Sequence, residues 1–417
     1  MAGITTSELP GTCPQQSGPG PARREGRSYR RRMAYAAAGA LVLSLLGTSS
    51  PAAFGADGAT SASASAVNHI YVGGVLSNNL AAVNVTDDEG AAPQRVPGSP
   101  FASGYGAFVV AASPNGRFLY TVPNIDAGEI LVYAVADNGQ LTRVQTTKIL
   151  IPGNATTMGL SFSPDGRHMY ATSGTGFFDK GGIVTTYTVA DNGIPSQTGQ
   201  PVNIGASSGL MMSTVSADGR NLYVSDYRQG QIVRLALGSD GTPSAPLERV
   251  PTGAGPCFPT ISPDGKHFYN VNELGGNVSG FSIAADGSLT PVSGSPFAAG
   301  STPHSVTITP DNRYMYVPNV LSHTIDGYEV QANGALTKLG NSPFPSGADG
   351  DSPARTFLSP DGKHLYAVDI ASGAAPHTAK LHTFTIGADG RLTESAPAYD
   401  TGITGADGPS SVLVPGH

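Results

Sequence analysis

One phrase recurs along this chain. It reads SPNGRFLYTVPN at 113–124, SPDGRHMYATSG at 163–174, SADGRNLYVSD at 216–226, SPDGKHFYNVN at 262–272, TPDNRYMYVPN at 309–319 and SPDGKHLYAVD at 359–369. A shortened copy, HIYVGG, stands at 69–74. The anchor tyrosines are Tyr71, Tyr120, Tyr170, Tyr223, Tyr269, Tyr316 and Tyr366, spaced 46 to 53 residues apart. Seven units of about 50 residues describe a repeat architecture, in which each unit buries its faces against its neighbours.

Each unit reads as four short strands. Around Tyr170, GLSFS (159–163) alternates apolar and polar residues, and Asp165-Gly166 makes a tight turn because Gly accepts a positive φ. RHMYATS (167–173) is the second strand and the β-branched GIVTTYTVA (182–190) the third. The turn Asp191-Asn192-Gly193 follows, and a weaker fourth strand runs towards Gly205. That second turn recurs at 137–139, 239–241, 285–287, 332–334 and 388–390, and three units share an echo: GSPFASG (98–104), GSPFAAG (294–300) and NSPFPSG (341–347). The 55 Gly and 33 Pro of the 417 residues are largely this punctuation, and 13% charged residues exclude a helical bundle. Two Cys exclude a disulfide framework and a multi-Cys zinc site.

Four antiparallel strands at this period predict an all-β fold, a seven-bladed β-propeller of four-stranded blades. A solenoid would need terminal caps. Here the first unit lacks an opening strand, and SSVLVPG (410–416) resembles an opening strand with no blade behind it. The C-terminal strand is expected to complete blade 1 and close the ring, which also removes the open sheet edges.

Residues 1–66 read as a leader and linker, and 67–417 as the propeller. Six arginines between 23 and 32 precede an apolar run, Ala34 to Leu46, too short to span a bilayer and suited to a signal-peptide core. Small residues follow, with cleavage expected between about 52 and 66. Both general secretory and twin-arginine export fit. No Cys follows the apolar run, which argues against a lipid anchor. Cys13 leaves with the leader, and Cys257 has no intramolecular partner for a disulfide. From 67 onward there are 17 Lys+Arg against 27 Asp+Glu, which argues against nucleic acid and against an anionic membrane face. The mature chain is expected to be secreted.

In a propeller, the start of each innermost strand and the loop after each second strand line one mouth of the axis. The innermost positions are Phe108, Met158, Met211, Cys257, His304 and Ala354, a largely apolar ring of the kind small ligands use. Three residues depart from the repeat. His304 can act as acid or base near neutral pH. Glu273 is a carboxylate where most units carry an uncharged residue. Arg355 can grip a carboxylate or phosphate with two parallel bonds, or equally make an ion pair across blades. Asp226, Asn272, Asn319 and Asp369 share one position and read as caps of the turn out of the second strand. The SPDG aspartates read as turn formers, since they lack calcium-loop spacing. His168, His267 and His364, just past the first hairpin turn, read as solvated. His377 and His382 receive no role.

The anchor phrase resembles the repeat of the YVTN and lactonase-type seven-bladed propellers, which include 6-phosphogluconolactonase and carboxymuconate lactonizing enzyme. The stretch GPCFPTISPDGKHFYNVNELGGNVSGF (255–281) is similar to the lactonase segment that places an Arg and a His in the opening strand and a Glu in NEL. Glu273 matches that Glu. Cys257 stands at the Arg position, Phe258 at the His position, Met211 at a further pocket His and Val320 at an Arg. The resemblance implies hydrolysis of a sugar lactone or related cyclic ester at the axial mouth. Glu273 and His304 would be the catalytic candidates, and Arg355, Cys257, Met211 and Asp226 would face the substrate. No metal and no cofactor is expected. The replaced charges leave an alternative open, a non-catalytic extracellular propeller binding a small ligand (a sugar or organic acid) or a protein partner.

Overall fold

Each copy of the repeated phrase is a hairpin closed by its own side chains. Ser163 Oγ donates to Asp165 Oδ1 at 2.6 Å, Asp165 Oδ1 accepts the Arg167 N–H at 3.1 Å, and Ser163 Oγ accepts the His168 N–H at 2.9 Å. The Ser163 hydroxyl holds the Asp165 carboxyl below its ordinary range. The same hydroxyl-to-Asx bond recurs at Ser113/Asn115, Ser216/Asp218, Ser262/Asp264, Thr309/Asp311 and Ser359/Asp361. These aspartates are turn formers.

The structure, a computed structural model, describes residues 67–416 apart from 89, 105, 124–128, 145–148, 151–155, 175–180, 210, 348–349, 371–376 and 407. The leader expected at 1–66 lies outside the described residues, as do the side chains of 149, 150, 211 and 408. Among the described residues there are seven antiparallel sheets, one per repeat. Blade 3 is typical: Thr156–Phe162, His168–Gly174, Gly182–Val189 and Pro195–Gly205 pair in chain order. In blade 1 the innermost strand is the C-terminal Ser411–Val414, antiparallel to Val67–Gly73 with Val412 opposite Tyr71. The chain is an all-β seven-bladed propeller whose ring closes through its C-terminal strand.

The core lies between blades. Tyr170 and Val184 of blade 3 pack with Leu222, Val224 and Val233 of blade 4, all inaccessible to solvent. The two sequence repeats, tyrosine and turn, meet across these seams. Tyr71, Tyr120, Tyr170, Tyr223, Tyr269 and Tyr316 donate their hydroxyls to the carbonyls of Gly139, Gly193, Gly241, Gly287, Gly334 and Gly390 in the following blade, at 2.7–2.9 Å. Burial pushes these phenols above their ordinary pKa, so they are neutral donors. At the seam between blades 7 and 1, Tyr366 reaches the Thr86 carbonyl at 3.3 Å instead. Tyr223→Phe removes the donor and leaves a buried carbonyl unsatisfied. It is expected to cost about 1–3 kcal/mol, read as a lower melting temperature, with no change in the sheet's far-ultraviolet spectrum.

The seams correct one expectation. His267 and His364 are buried, not solvated, and His168 is partly so. This position lies two residues before the anchor tyrosine and faces the turn of the next blade. A Cβ at Gly334 would come within 2.3 Å of the His267 ring, and one at Gly241 within 2.4 Å of His168. Burial lowers the pKa of His267. The SPF echo also gains a role. Ser99, Ser295 and Ser342 Oγ accept the third-strand amides of Ala82, Gly280 and Gly327 at 2.9–3.0 Å, where the fourth strand has left the edge. No helix among the described residues is long and apolar enough to cross a membrane.

Candidate functional site

Strand register places all six candidates at one mouth of the axis. Met211 lies opposite Asp226, Pro256 opposite Asn272 (so Cys257 and Glu273 share an end), Pro303 opposite Asn319 beside His304, and Pro353 opposite Asp369 beside Arg355. A bulge recurs where the innermost strand enters this mouth: between Ala107 and Val109, Thr157 and Gly159, Cys257 and Thr260, and Pro353 and Arg355. Bulges re-aim side chains, here towards the axis.

In blade 5 the bulge puts Phe258 at φ 49°. A bulky residue in the left-handed region costs about 1–3 kcal/mol, and such strain persists only where packing enforces it. The packing is visible. The Phe258 ring lies 5.2 Å from that of His304, centroid to centroid, and the Arg355 guanidinium sits 4.6 Å from the Phe258 centroid and 5.6 Å from that of Phe357. Cys257 (3% exposed) is buried alongside.

Arg355 is the most unusual group in the mouth. Its Nε is buried and makes no hydrogen bond, and no carboxylate lies within ion-pair distance of it among the described residues. Burial drives its pKa down to about 10, with the nearby Cys257 acting in the opposite sense, so it stays cationic at neutral pH. A partly buried cation held by two aromatic faces is poised for an anion. It borders an axial cavity of ≈ 510 Å³ that also takes in Thr214, Thr260, Thr307 and Thr356. Thr307 Oγ1 and Thr356 Oγ1 are 2.7 Å apart across the blade 6–7 boundary. The cavity therefore offers one positive charge and a belt of hydroxyls, a lining suited to a hydroxylated anion.

The other candidates are placed as follows. His304 is buried (8% exposed), its amide donating to the Pro318 carbonyl at 3.0 Å. Glu273 is partly buried in the turn after the second strand of blade 5, its amide donating to Gly255 O at 2.9 Å. Asp226 is fully buried. Its carboxylate accepts the Gly209 and Gln229 amides at 3.1 and 3.3 Å and the Gln231 side-chain amide at 3.1 Å. The structure thus gathers Cys257, Phe258, His304 and Arg355 into one packed group, while the oxygens of Asp226 are taken up by its own turn.

A second charged cluster carries no motif in the sequence. In blade 7, His382 Nε2 lies 3.0 Å from Asp369 Oδ2 and 3.5 Å from Asp351 Oδ2, while its Nδ1 lies 3.2 Å from Glu394 Oε1. Lys380 Nζ is 3.2 Å from Asp351 Oδ1. Burial raises Asp369 to about 6. Burial also opposes charge on His382, yet its bonds to Asp369 and Glu394 raise its pKa. The signal available in the sequence is positional. By register His382 matches Val233, Ser279 and Asp326 of blades 4 to 6, so it is a titratable ring at a position that changes from blade to blade.

Residues 151–399, more than half of the chain, match the family described as a lactonase, 7-bladed beta-propeller. The chain is 30% identical over 173 residues to the 6-phosphogluconolactonase of Klebsiella pneumoniae, covering 40% of this chain and 48% of that one. The enzyme of the same name from Erwinia tasmaniensis is 26% identical over 180 residues, 42% and 51% of the two chains. The chain spans about half the length of the curated relatives it matches. Among solved structures, the periplasmic gluconolactonase of Pseudomonas aeruginosa superposes with a TM-score of 0.66 at 15% identity, over 84% of this chain and 100% of that one. A candidate 6-phosphogluconolactonase of Bacteroides fragilis gives 0.67 at 20% identity, over 84% and 98%. At such identities the structural likeness speaks for the fold. With the family matched over more than half its length and the seven blades complete, the chain belongs to the lactonase family of seven-bladed β-propellers.

Proposed function

We propose that this chain hydrolyses a hydroxylated lactone bearing a carboxylate or phosphate, bound at the axial mouth. The observation that carries the reading is Arg355, a partly buried cation with no carboxylate partner among the described residues, bordering a cavity whose other polar side chains are threonine and serine hydroxyls. The 6-phosphogluconolactonase relatives support the choice of substrate class. Water adds to the lactone carbonyl carbon as a base removes its proton. The ring C–O bond then breaks, and the departing oxygen takes a proton, giving an open hydroxy acid. Glu273 takes the first proton and His304 supplies the second, a division of labour worth about 10²–10⁴ in rate per group. Arg355 holds the anionic substituent, with Cys257 buried beside it.

A lactone-hydrolysis assay with Glu273→Gln tests the catalytic half. A loss of about 100-fold in kcat with little change in KM is expected. Equal rates in both proteins, or none in either, would overturn it. The observation favouring a binding-only propeller is that Phe258 and Cys257 occupy positions where the family carries charge. That reading predicts product-acid binding without turnover. We also propose that the chain is exported. Amino-terminal sequencing of the secreted form is expected to start between about 52 and 66.

A further inference from the structure

We propose that blade 7 carries a divalent transition-metal site outside the axial pocket, formed by Asp351, Asp369 and His382. The three side chains are fully buried, and one donor atom from each lies within 4.8 Å of the others. A tetrahedral Zn²⁺ with ligand bonds of about 2.0–2.1 Å spaces its donors about 3.3 Å apart. His382 Nε2 is 3.0 Å from Asp369 Oδ2 and 3.5 Å from Asp351 Oδ2, which brackets that value.

Two independent observations point to a cation at this position. First, Glu394 can only accept, so His382 Nδ1 donates to it at 3.2 Å and Nε2 is left facing two carboxylates. A carboxylate behind a histidine is the usual support for a metal-bound imidazole, fixing both its tautomer and its orientation. Second, Asp369 is inaccessible to solvent, and its Oδ1 accepts no hydrogen bond. A buried carboxylate oxygen with no donor is costly unless a cation serves it.

The fold has made room for this arrangement. At Gly347 a Cβ would stand 2.3 Å from His382 Cε1 and 3.0 Å from Asp351 Oδ2, so only glycine lets that segment lie over the ring. A cavity of ≈ 480 Å³, bordered by Asp351, His382, Glu394 and Ser395, gives a fourth ligand (water or a small anion) a way in. Three protein ligands with an open position are the pattern of a reactive rather than a closed structural zinc.

The test uses the full-length protein after chelation, titrated with Zn²⁺ alone by calorimetry and with Co²⁺ by visible absorption. One equivalent is expected to bind, with the Co²⁺ bands of a four-coordinate site. His382→Ala and Asp369→Asn should abolish that equivalent, and Glu394→Gln should weaken it about 10–100-fold while the protein stays folded by circular dichroism. No stoichiometric binding by the wild type would overturn the proposal. So would binding that survives in both His382→Ala and Asp369→Asn, or a His382 Nε2 proton seen by nitrogen-detected NMR in saturating Zn²⁺.

Discussion

Replacing Gly193 with alanine is expected to destabilise the propeller by about 3–5 kcal/mol, a large loss for one added methyl group. Three costs coincide. Gly193 has φ 79°, where an L-residue pays about 1–2 kcal/mol. The new Cβ would stand 2.4 Å from Cδ1 of the buried Phe118 ring, and overpacking of that kind costs about 1–3 kcal/mol. The displaced turn would also pull its carbonyl from the Tyr120 hydroxyl, which it accepts at 2.8 Å. Gly199 supplies the control, with φ 68° and nothing within 4 Å of an added Cβ. Gly199→Ala should show the backbone cost alone. Denaturation midpoints of the two variants measure the difference. Equal losses would mean that the seam gives way and that the turn is no latch.

The second large effect falls on Arg355. Arg355→Ala is expected to weaken binding of an anionic sugar acid by about 10–100-fold, the worth of about 1.5–3 kcal/mol for a charge-assisted hydrogen bond. Binding of the neutral lactone should change little. Arg355→Lys should recover only part of the loss, because an ammonium lacks the planar fork and stacks less well on Phe258 and Phe357. Calorimetry with an anionic acid and its neutral analogue separates these outcomes. If both ligands weaken alike, Arg355 supports the wall and does not read charge. This measurement stands apart from the rate loss expected of Glu273→Gln. Together they distinguish a site that binds from a site that also turns over.

The turn at 191–193 and the tyrosine at 120 are both visible as repeats, and so is the blade count. Their meeting across a seam is not, because the hydroxyl and the carbonyl are 73 residues apart and belong to different blades. The burial of the histidines at 267 and 364 escapes a local reading for the same reason. A residue just past a hairpin turn is exposed in an isolated blade and becomes buried only when the next blade packs over it. Glu273, His304 and Arg355 stand out by departing from the repeat, and register puts them at one mouth. That Arg355 lies against Phe258 cannot be read from spacing. It depends on a bulge and a positive φ in blade 5 and on the return of blade 7 around the ring.

The sequence by itself determined the local pieces and their number. Period-two strands, Ser-x-Asp turns and positive-φ glycines are settled within a few residues of chain, so the repeat declares seven blades and a closing strand. Only the tertiary structure decided which polar groups lose water together. Desolvation and pairing depend on neighbours from other blades, as with Arg355 over Phe258, or from other strands of one blade, as with His382 between Asp369 and Glu394. The first proximity exists only once the ring has closed, and the second once the strands of blade 7 have paired.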